Sequence, residues 1–329
     1  MYALNASLRL DEISSDTSGL DSSYVSPRIA VVIPCLNESK TIAKVIESVR
    51  ETLPICGIYV YDNGSTDNTC AVATEAGAVV RCEKRPGKGR ALKKAFGEID
   101  ADIFITLDGD DTYETLHLPE MIKRLQHDHL EMVVGDRLKD KSSHTRTGHY
   151  LGNQLFSKAI SALFDMEVED PFSGMRVMTA RFVKSFPSVA SGFEVETELT
   201  VHAFDLGVDF AEMPVEYRER PEDSYSKLRT FKDGSRILWK LIWLYQLKKP
   251  LQFYGYASLV LLVLSLVTFS IPLAEFVMTD KVQHFPTLIV SMGGFVLTLL
   301  TFAIGLISEN INSNSREIKR FIFRSSQRV

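Results

Sequence analysis

The chain has 329 residues, 42 acidic and 37 basic side chains and 45% apolar content, enough for one large domain with an appendage. A formal net charge of -5 and a pI near 5.9 exclude a general nucleic-acid binder, because no basic field is available for a polyphosphate. The mean hydropathy of +0.01 averages two unlike parts, an ordinary soluble composition up to residue 250 and an almost uncharged stretch over 251–308.

Residues 1–26 are polar and weakly patterned and predict a mobile leader, with no secretory signal ahead of the body. A β-branched run at 28–34 predicts a strand, and Asn37, Glu38 and Ser39 offer caps to a helix running through Leu53. Strands at 57–61, 79–82, 102–107 and 132–135 alternate with helices at 67–76, 90–99 and 118–127. That alternation predicts an α/β fold on a mostly parallel sheet. Ligands of such sheets sit beyond the carboxyl ends of the strands.

Three of those ends carry carboxylates: Glu38, then Asp62 in DNGSTDNT, then Asp108 and Asp110 in LDGDD. Residues i and i+2 of an extended segment point the same way, so Asp108 and Asp110 can aim hard oxygens at one Mg2+ or Mn2+, while Gly109 permits close approach of a ligand. A D-x-D triplet alone is equally a solvated acidic turn; its place after a strand, in step with the Asp62 loop, favours metal and a nucleoside diphosphate. Lys88 and Gly89, in RPGKGRAL, open onto the same edge and can touch the nucleotide. No G-x-G-x-x-G follows the first strand and no P-loop pattern occurs, which excludes Rossmann dinucleotide binding and P-loop hydrolysis. Cys35, Cys56, Cys70 and Cys82 lack metal-ligand spacing and read as reduced, structural thiols.

Over 231–249, Lys232, Arg236 and Lys240 fall on one face of a predicted helix and Leu238, Leu241, Ile242 and Tyr245 on the other, a pattern suited to a membrane interface or to packing on the body. Two charge-free runs follow, 251–274 and 285–308, each longer than the ~20 residues that cross a bilayer core. They predict a two-helix transmembrane hairpin over 250–309, and their length disfavours a buried hairpin of a soluble core. Basic residues on both flanks, including a basic tail at 310–329, predict that the body and both termini are cytoplasmic and the hairpin lies in the cytoplasmic (inner) membrane.

The motifs IPCLNES, DNGSTDNT, GKGRAL and LDGDD, in this order and spacing, resemble glycosyltransferase family 2, whose fold is GT-A and whose donors are nucleotide sugars. VGDR at 134–137, DPFSGMRVM at 170–178, GFEVETEL at 192–199 and SYSKL at 224–228 resemble its polyprenyl-phosphate group, that of dolichyl-phosphate mannose synthase and bactoprenol glucosyltransferases. The resemblance covers 28 to about 235 and implies a GT-A catalytic domain over 27–230. It implies Pro34, Leu36, Glu38 and Asp62 on the nucleotide, Asp108, Gly109 and Asp110 on metal and diphosphate, and Arg137 facing a donor or acceptor phosphate. Asp170 would lie at the reaction centre and Ser226 and Lys227 at the lipid phosphate. Thr112 stands where some relatives carry a glutamine beside the metal, which leaves the third protein ligand open.

A polyprenyl phosphate is already anionic near neutral pH, since a phosphate monoester has a second pKa of ~6, so it needs little help from a base to attack C1 of a sugar. Cation charge for holding it would come from Arg137, Arg146, Arg220, Lys227 or Arg229. Asp170 is the candidate base, or a carboxylate that caps the PFSG turn or orients an arginine; Glu194 and Glu196 divide between site and helix surface. The resulting expectation is an inverting transfer of one sugar from a UDP- or GDP-linked donor to undecaprenyl or dolichyl phosphate. Related bacterial enzymes can be tetrameric, so the resemblance also implies a homo-oligomer. A processive polysaccharide synthase is the alternative within the fold, disfavoured by the absence of Q-x-x-R-W, and a non-enzymatic membrane scaffold is the alternative outside it.

Overall fold

A short run of alternating apolar side chains serves two cores at once, because successive residues of a strand face opposite ways. Strand β1 (Ile29–Cys35) does this: Val31, Ile33 and Cys35 enter one core, Ala30 and Val32 the other. The structure, a computed structural model, describes residues 27–137, 168–187, 195–218, 242–243 and 245–325. The leader and most of the interfacial helix expected over 231–249 lie outside these residues.

After β1 come α1 (Ile42–Thr52), β2 (Cys56–Asp62), α2 (Thr69–Glu75), β3 (Val79–Cys82), α3 (Lys88–Glu98) and β4 (Ile103–Thr106). Then follow α4 (Leu118–His127), β5 (Met132–Asp136), β6 (Arg176–Thr179), α5 (Ala180–Ser185), α6 (Val195–Leu206) and β7 (Phe210–Pro214). The sheet order is β3-β2-β1-β4-β6-β5-β7. Only β6 runs against its neighbours β4 and β5; the other pairings are parallel. The expected mostly parallel α/β sheet is present, with β6 and β7 as strands that the alternation of the first half did not announce.

Helices α1 and α4 cover one face, with Ile42, Ile46, Leu118 and Met121 fully buried. Helices α3, α5 and α6 cover the other, around Leu92, Phe104 and Phe182. Arg176 is also fully buried; its guanidinium donates to the carbonyls of Ser173 and Pro171 and to Thr200 Oγ1, satisfying donors that burial would otherwise orphan.

Two long helices close the chain, α7 (Pro250–Thr279) and α8 (Phe285–Ser325), with mean hydropathy of 2.3 and 2.1 over their most apolar windows. Both are long and apolar enough to cross a membrane. Their packing is the inverse of a soluble hairpin. The residues buried within the apolar stretches are Ser258, Ser265 and Pro272 on α7 and Ser291, Thr298 and Gly305 on α8, each set spaced by seven, while Leu, Val, Ile and Phe face outward. The four seam hydroxyls donate to carbonyls of their own helices. A Cβ at Gly294 would collide with Ser265, and one at Gly305 would sit 2.9 Å from Tyr254 Cβ, so the two glycines permit the close approach.

The segment expected as a basic tail continues α8 as far as Ser325 and returns to the catalytic body. Phe323 is buried in the α3/α5/α6 core, with the Arg181 guanidinium over its ring. The Asp205 carboxylate at the end of α6 takes Lys248 and Lys319, and its carbonyl accepts from Arg320 Nε at 2.9 Å. Ion pairs and a buried ring hold this end as helix where sequence alone shows only charge.

His202, one turn before Asp205, packs between Phe182 and Phe186 and shares a hydrogen bond with Ser185 Oγ. Burial, with nearby Lys319 adding, pulls its pKa from 6.5 down to about 4. The unfolded chain protonates near pH 6.5 and the folded one does not, so His202 leaves stability intact above that pH and reduces it as pH falls towards 4. Thermal unfolding between pH 7 and 4 should show a loss of up to roughly 3 kcal/mol from this residue, and His202→Phe should flatten that part of the profile.

Candidate active site

The carboxyl ends of β1, β2, β4 and β5 converge on one edge, and hydrogen bonds between their loops fix the arrangement. Asn63 N donates to Cys35 O at 2.9 Å, Asn37 N to Ser65 Oγ at 2.8 Å and Thr66 N to Asn37 Oδ1 at 2.7 Å, lacing the β1 loop to the β2 loop. Asn37 holds a φ of 54°, a left-handed conformation that asparagine tolerates better than most residues. Glu38 N donates to Thr69 Oγ1, and Thr41 Oγ1 donates to Gly109 O at 2.6 Å, which brings in the β4 loop. Pro34, Leu36, Glu38, Asp62, Asp108, Gly109 and Asp110 therefore share this edge, as the sequence predicts.

Buried Asp62 accepts the backbone N–H groups of Gly64 and Ser65 at 3.1–3.3 Å. Asp110 is also buried and accepts from Thr112 Oγ1 at 2.6 Å, so the residue standing in the glutamine's place orients this carboxylate. Gly109 has a packing cause besides the expected room for a ligand: a Cβ there would lie 2.8 Å from Cys35 Sγ.

Lys88 is the first residue of α3, two residues earlier than the helix start expected at residue 90, and Gly89 is buried beside it. The Lys88 ammonium donates to Asp108 Oδ1 at 2.5 Å and forms an ion pair with Glu196 on α6. Burial alone would discharge this ammonium, but Asp108 and Glu196 together outweigh it and hold its pKa above the usual lysine range. Burial pushes the Glu196 carboxyl up, against the pull of Lys88. Among the described residues Glu196 Oε2 has no hydrogen-bond partner. Glu196 belongs to the site; Glu194 lies outside the described residues.

At the end of β5, Asp170 grips Arg137 with both oxygens, Nε to Oδ2 at 2.7 Å and Nη2 to Oδ1 at 2.9 Å, and Tyr217 lies under the guanidinium. Asp170 Oδ1 also accepts Phe172 N, so it both orients an arginine and caps the PFSG turn. Its own N–H donates to Glu212 Oε1. Tyr113, Gly174 and Tyr217 were not foreseen. Gly174 N donates to Tyr113 Oη, and the two tyrosine rings meet edge to face at 5.2 Å. The available signal was the glycine of PFSG: a Cβ at 174 would fall 2.5 Å from Asp108 Oδ2. Arg146, Arg220, Ser226, Lys227 and Arg229 lie outside the described residues.

Gly174 lets the Asp108 carboxylate pack against its backbone, and the Asp108 and Asp110 carboxylates are hard-oxygen donors of the kind that fits a small divalent cation carrying a diphosphate.

The family model for glycosyl transferase family 2 matches residues 30–185, from β1 to the end of α5. Glycosyltransferase AglJ of Haloferax volcanii is 30% identical over 293 residues, covering 88% of this chain and 95% of that one. The chain belongs to glycosyl transferase family 2. Dolichyl-phosphate hexose transferase from the same organism is 28% identical over 65% of this chain and 92% of its own. Among solved structures, glucosyl-3-phosphoglycerate synthase from Mycobacterium tuberculosis, in complex with Mn2+, UDP and phosphoglyceric acid, superposes with a TM-score of 0.51 at 29% identity over 60% of this chain and 73% of that one. The family 2 domain here thus has the GT-A-like architecture expected.

Lys88→Met should leave Asp108 and Glu196 facing each other without a cation and destabilise the domain by about 3 kcal/mol. Adding Glu196→Gln should recover at least about 1 kcal/mol, read as non-additivity in a thermal-unfolding cycle.

Proposed function

We propose that this family 2 glycosyltransferase resides in a membrane and moves one sugar from a UDP- or GDP-linked donor to a polyprenyl phosphate, inverting C1. The observation that carries the reading is the α7/α8 hairpin, which buries serine, threonine and glycine and exposes its apolar side chains, a distribution that suits hydrocarbon and not water. The phosphate-bearing molecules in the names of two similar proteins, a dolichyl phosphate and phosphoglyceric acid, support a phosphate-bearing acceptor.

On this reading Pro34, Leu36, Glu38 and Asp62 hold the nucleotide, and Lys88 and Gly89 meet the donor diphosphate. Asp108 and Asp110 hold Mg2+ or Mn2+; when bound, the cation neutralises charge on the leaving nucleoside diphosphate. Arg137 takes the acceptor phosphate with the face that Asp170 leaves free. Both Asp170 oxygens are committed to Arg137, which favours a positioning role over that of a base. The acceptor phosphate, with a second pKa of ~6, attacks C1 as the dianion without one. Arg146, Arg220, Ser226, Lys227 and Arg229 complete the acceptor side. On this reading the body and both termini are cytoplasmic, which the excess of basic residues flanking the two helices supports.

The test is transfer by detergent-purified protein from a panel of radiolabelled nucleotide sugars to undecaprenyl or dolichyl phosphate. Metal-dependent entry of label into the organic phase is expected, abolished by chelator and cut at least about a hundredfold by Asp110→Asn. Label passing only to a soluble acceptor such as phosphoglycerate would sink the lipid assignment. In the same assay Asp170→Asn should raise KM for the polyprenyl phosphate by roughly tenfold with donor affinity unchanged.

A further inference from the structure

The cysteine spacing predicts no metal site, yet the fold assembles ligands that the sequence keeps apart. Strands β2 and β3 pair in parallel with Asp62 opposite Cys82. Cys70, in the first turn of α2, comes down beside both. One ligand atom from each of the three lies within 4.8 Å of the other two. A tetrahedral ion with metal–sulfur bonds near 2.3 Å holds its sulfurs about 3.8 Å apart, so a contraction of at most about 1 Å closes the set.

We propose that Asp62, Cys70 and Cys82 form a binding site for a soft divalent cation of the zinc class. Two thiols and a carboxylate select zinc over magnesium or manganese, whereas Asp108 and Asp110 offer only hard oxygens. Asp62 is buried and fixed by two backbone N–H groups, which supplies the outer support that metal ligands need. Cys82 is exposed at the end of the edge strand, which gives the ion an entry path and room for water as fourth ligand. Burial, with Asp62 and Cys82 adding, pushes the free Cys70 thiol up to about 11, so binding must displace its proton and strengthens as pH rises. A consequence rests on the reading above that Asp62 also holds the donor nucleotide: cation and nucleotide then compete for one carboxylate.

The experiment uses the full chain in detergent with Co2+ as the probe, because thiolate ligation gives cobalt a charge-transfer absorption. A saturable thiolate band, bleached by Zn2+ and lost in both Cys70→Ser and Cys82→Ser, is the expected result. The two variants should keep the wild-type melting transition, which shows that the lost band is not lost folding. No thiolate band in the wild type, or a band unchanged in both variants, would overturn the site. Calorimetry of UDP binding with Mn2+ tests the competition: Zn2+ should weaken UDP by roughly tenfold in the wild type and not in the Cys70→Ser/Cys82→Ser double variant. Equal UDP affinity with and without Zn2+ overturns the shared carboxylate. A protein that shows the cobalt band and binds no UDP keeps the zinc site and loses the donor reading.

Discussion

A single buried ammonium sets the geometry of the catalytic edge. Lys88 opens α3, and its partners Asp108 and Glu196 belong to the β4 loop and to α6, three elements far apart in sequence. Burying two carboxylates side by side would cost several kcal/mol without a cation between them. With Lys88 in place, the attraction outweighs the loss of hydration, and the three elements meet at a fixed distance. Helix α6, about 18 Å long, then carries that constraint to Asp205, where Lys248, Lys319 and Arg320 fasten the apolar helices. Catalytic edge and hairpin are thus opposite ends of one rigid element.

The edge also separates two kinds of donor chemistry. Beyond β4 the available atoms are carboxylate oxygens around glycine, suited to a hydrated, charge-dense cation with phosphates. Beyond β2 and β3 they are one carboxylate and two thiols. Asp62 stands on the boundary, and its two backbone N–H donors orient it whichever partner it serves. Arg137, at β5, completes the row with a guanidinium already aligned by Asp170, so the entropy of ordering a long side chain is spent in folding, before any ligand arrives.

Much of this was legible from periodicity. The strand and helix alternation over the first half, and the carboxylates at the strand ends, follow from β-branched runs and the turn residues after them, and Val79–Cys82 and Leu118–His127 fall where the pattern puts them. β6 escaped because its four residues, Arg-Val-Met-Thr, begin with an arginine that reads as surface; only the carbonyls of Ser173 and Pro171 and the hydroxyl of Thr200 make that arginine a core residue. The helix through Asn310, Asn312 and Asn314 escaped because these are poor helix formers, and its stability comes from Phe323 and Asp205, contacts of long sequence range. Cys70 and Cys82 meet only because β2 and β3 pair in register, which no local spacing encodes.

The unbroken α8 gives the molecule a built-in gauge. From Ser308, where the apolar run ends, to Phe323, where the ring enters the core, the helix rises about 22 Å and completes about four turns. Each added or removed residue in that interval would swing Phe323 and Arg320 by about 100° and alter the standoff by about 1.5 Å. The distance of the catalytic edge from the apolar helices and its azimuth about them are therefore quantised together, in steps of one peptide unit. The phase of the helix thus fixes how many residues this segment holds, while its outward side chains carry no such constraint.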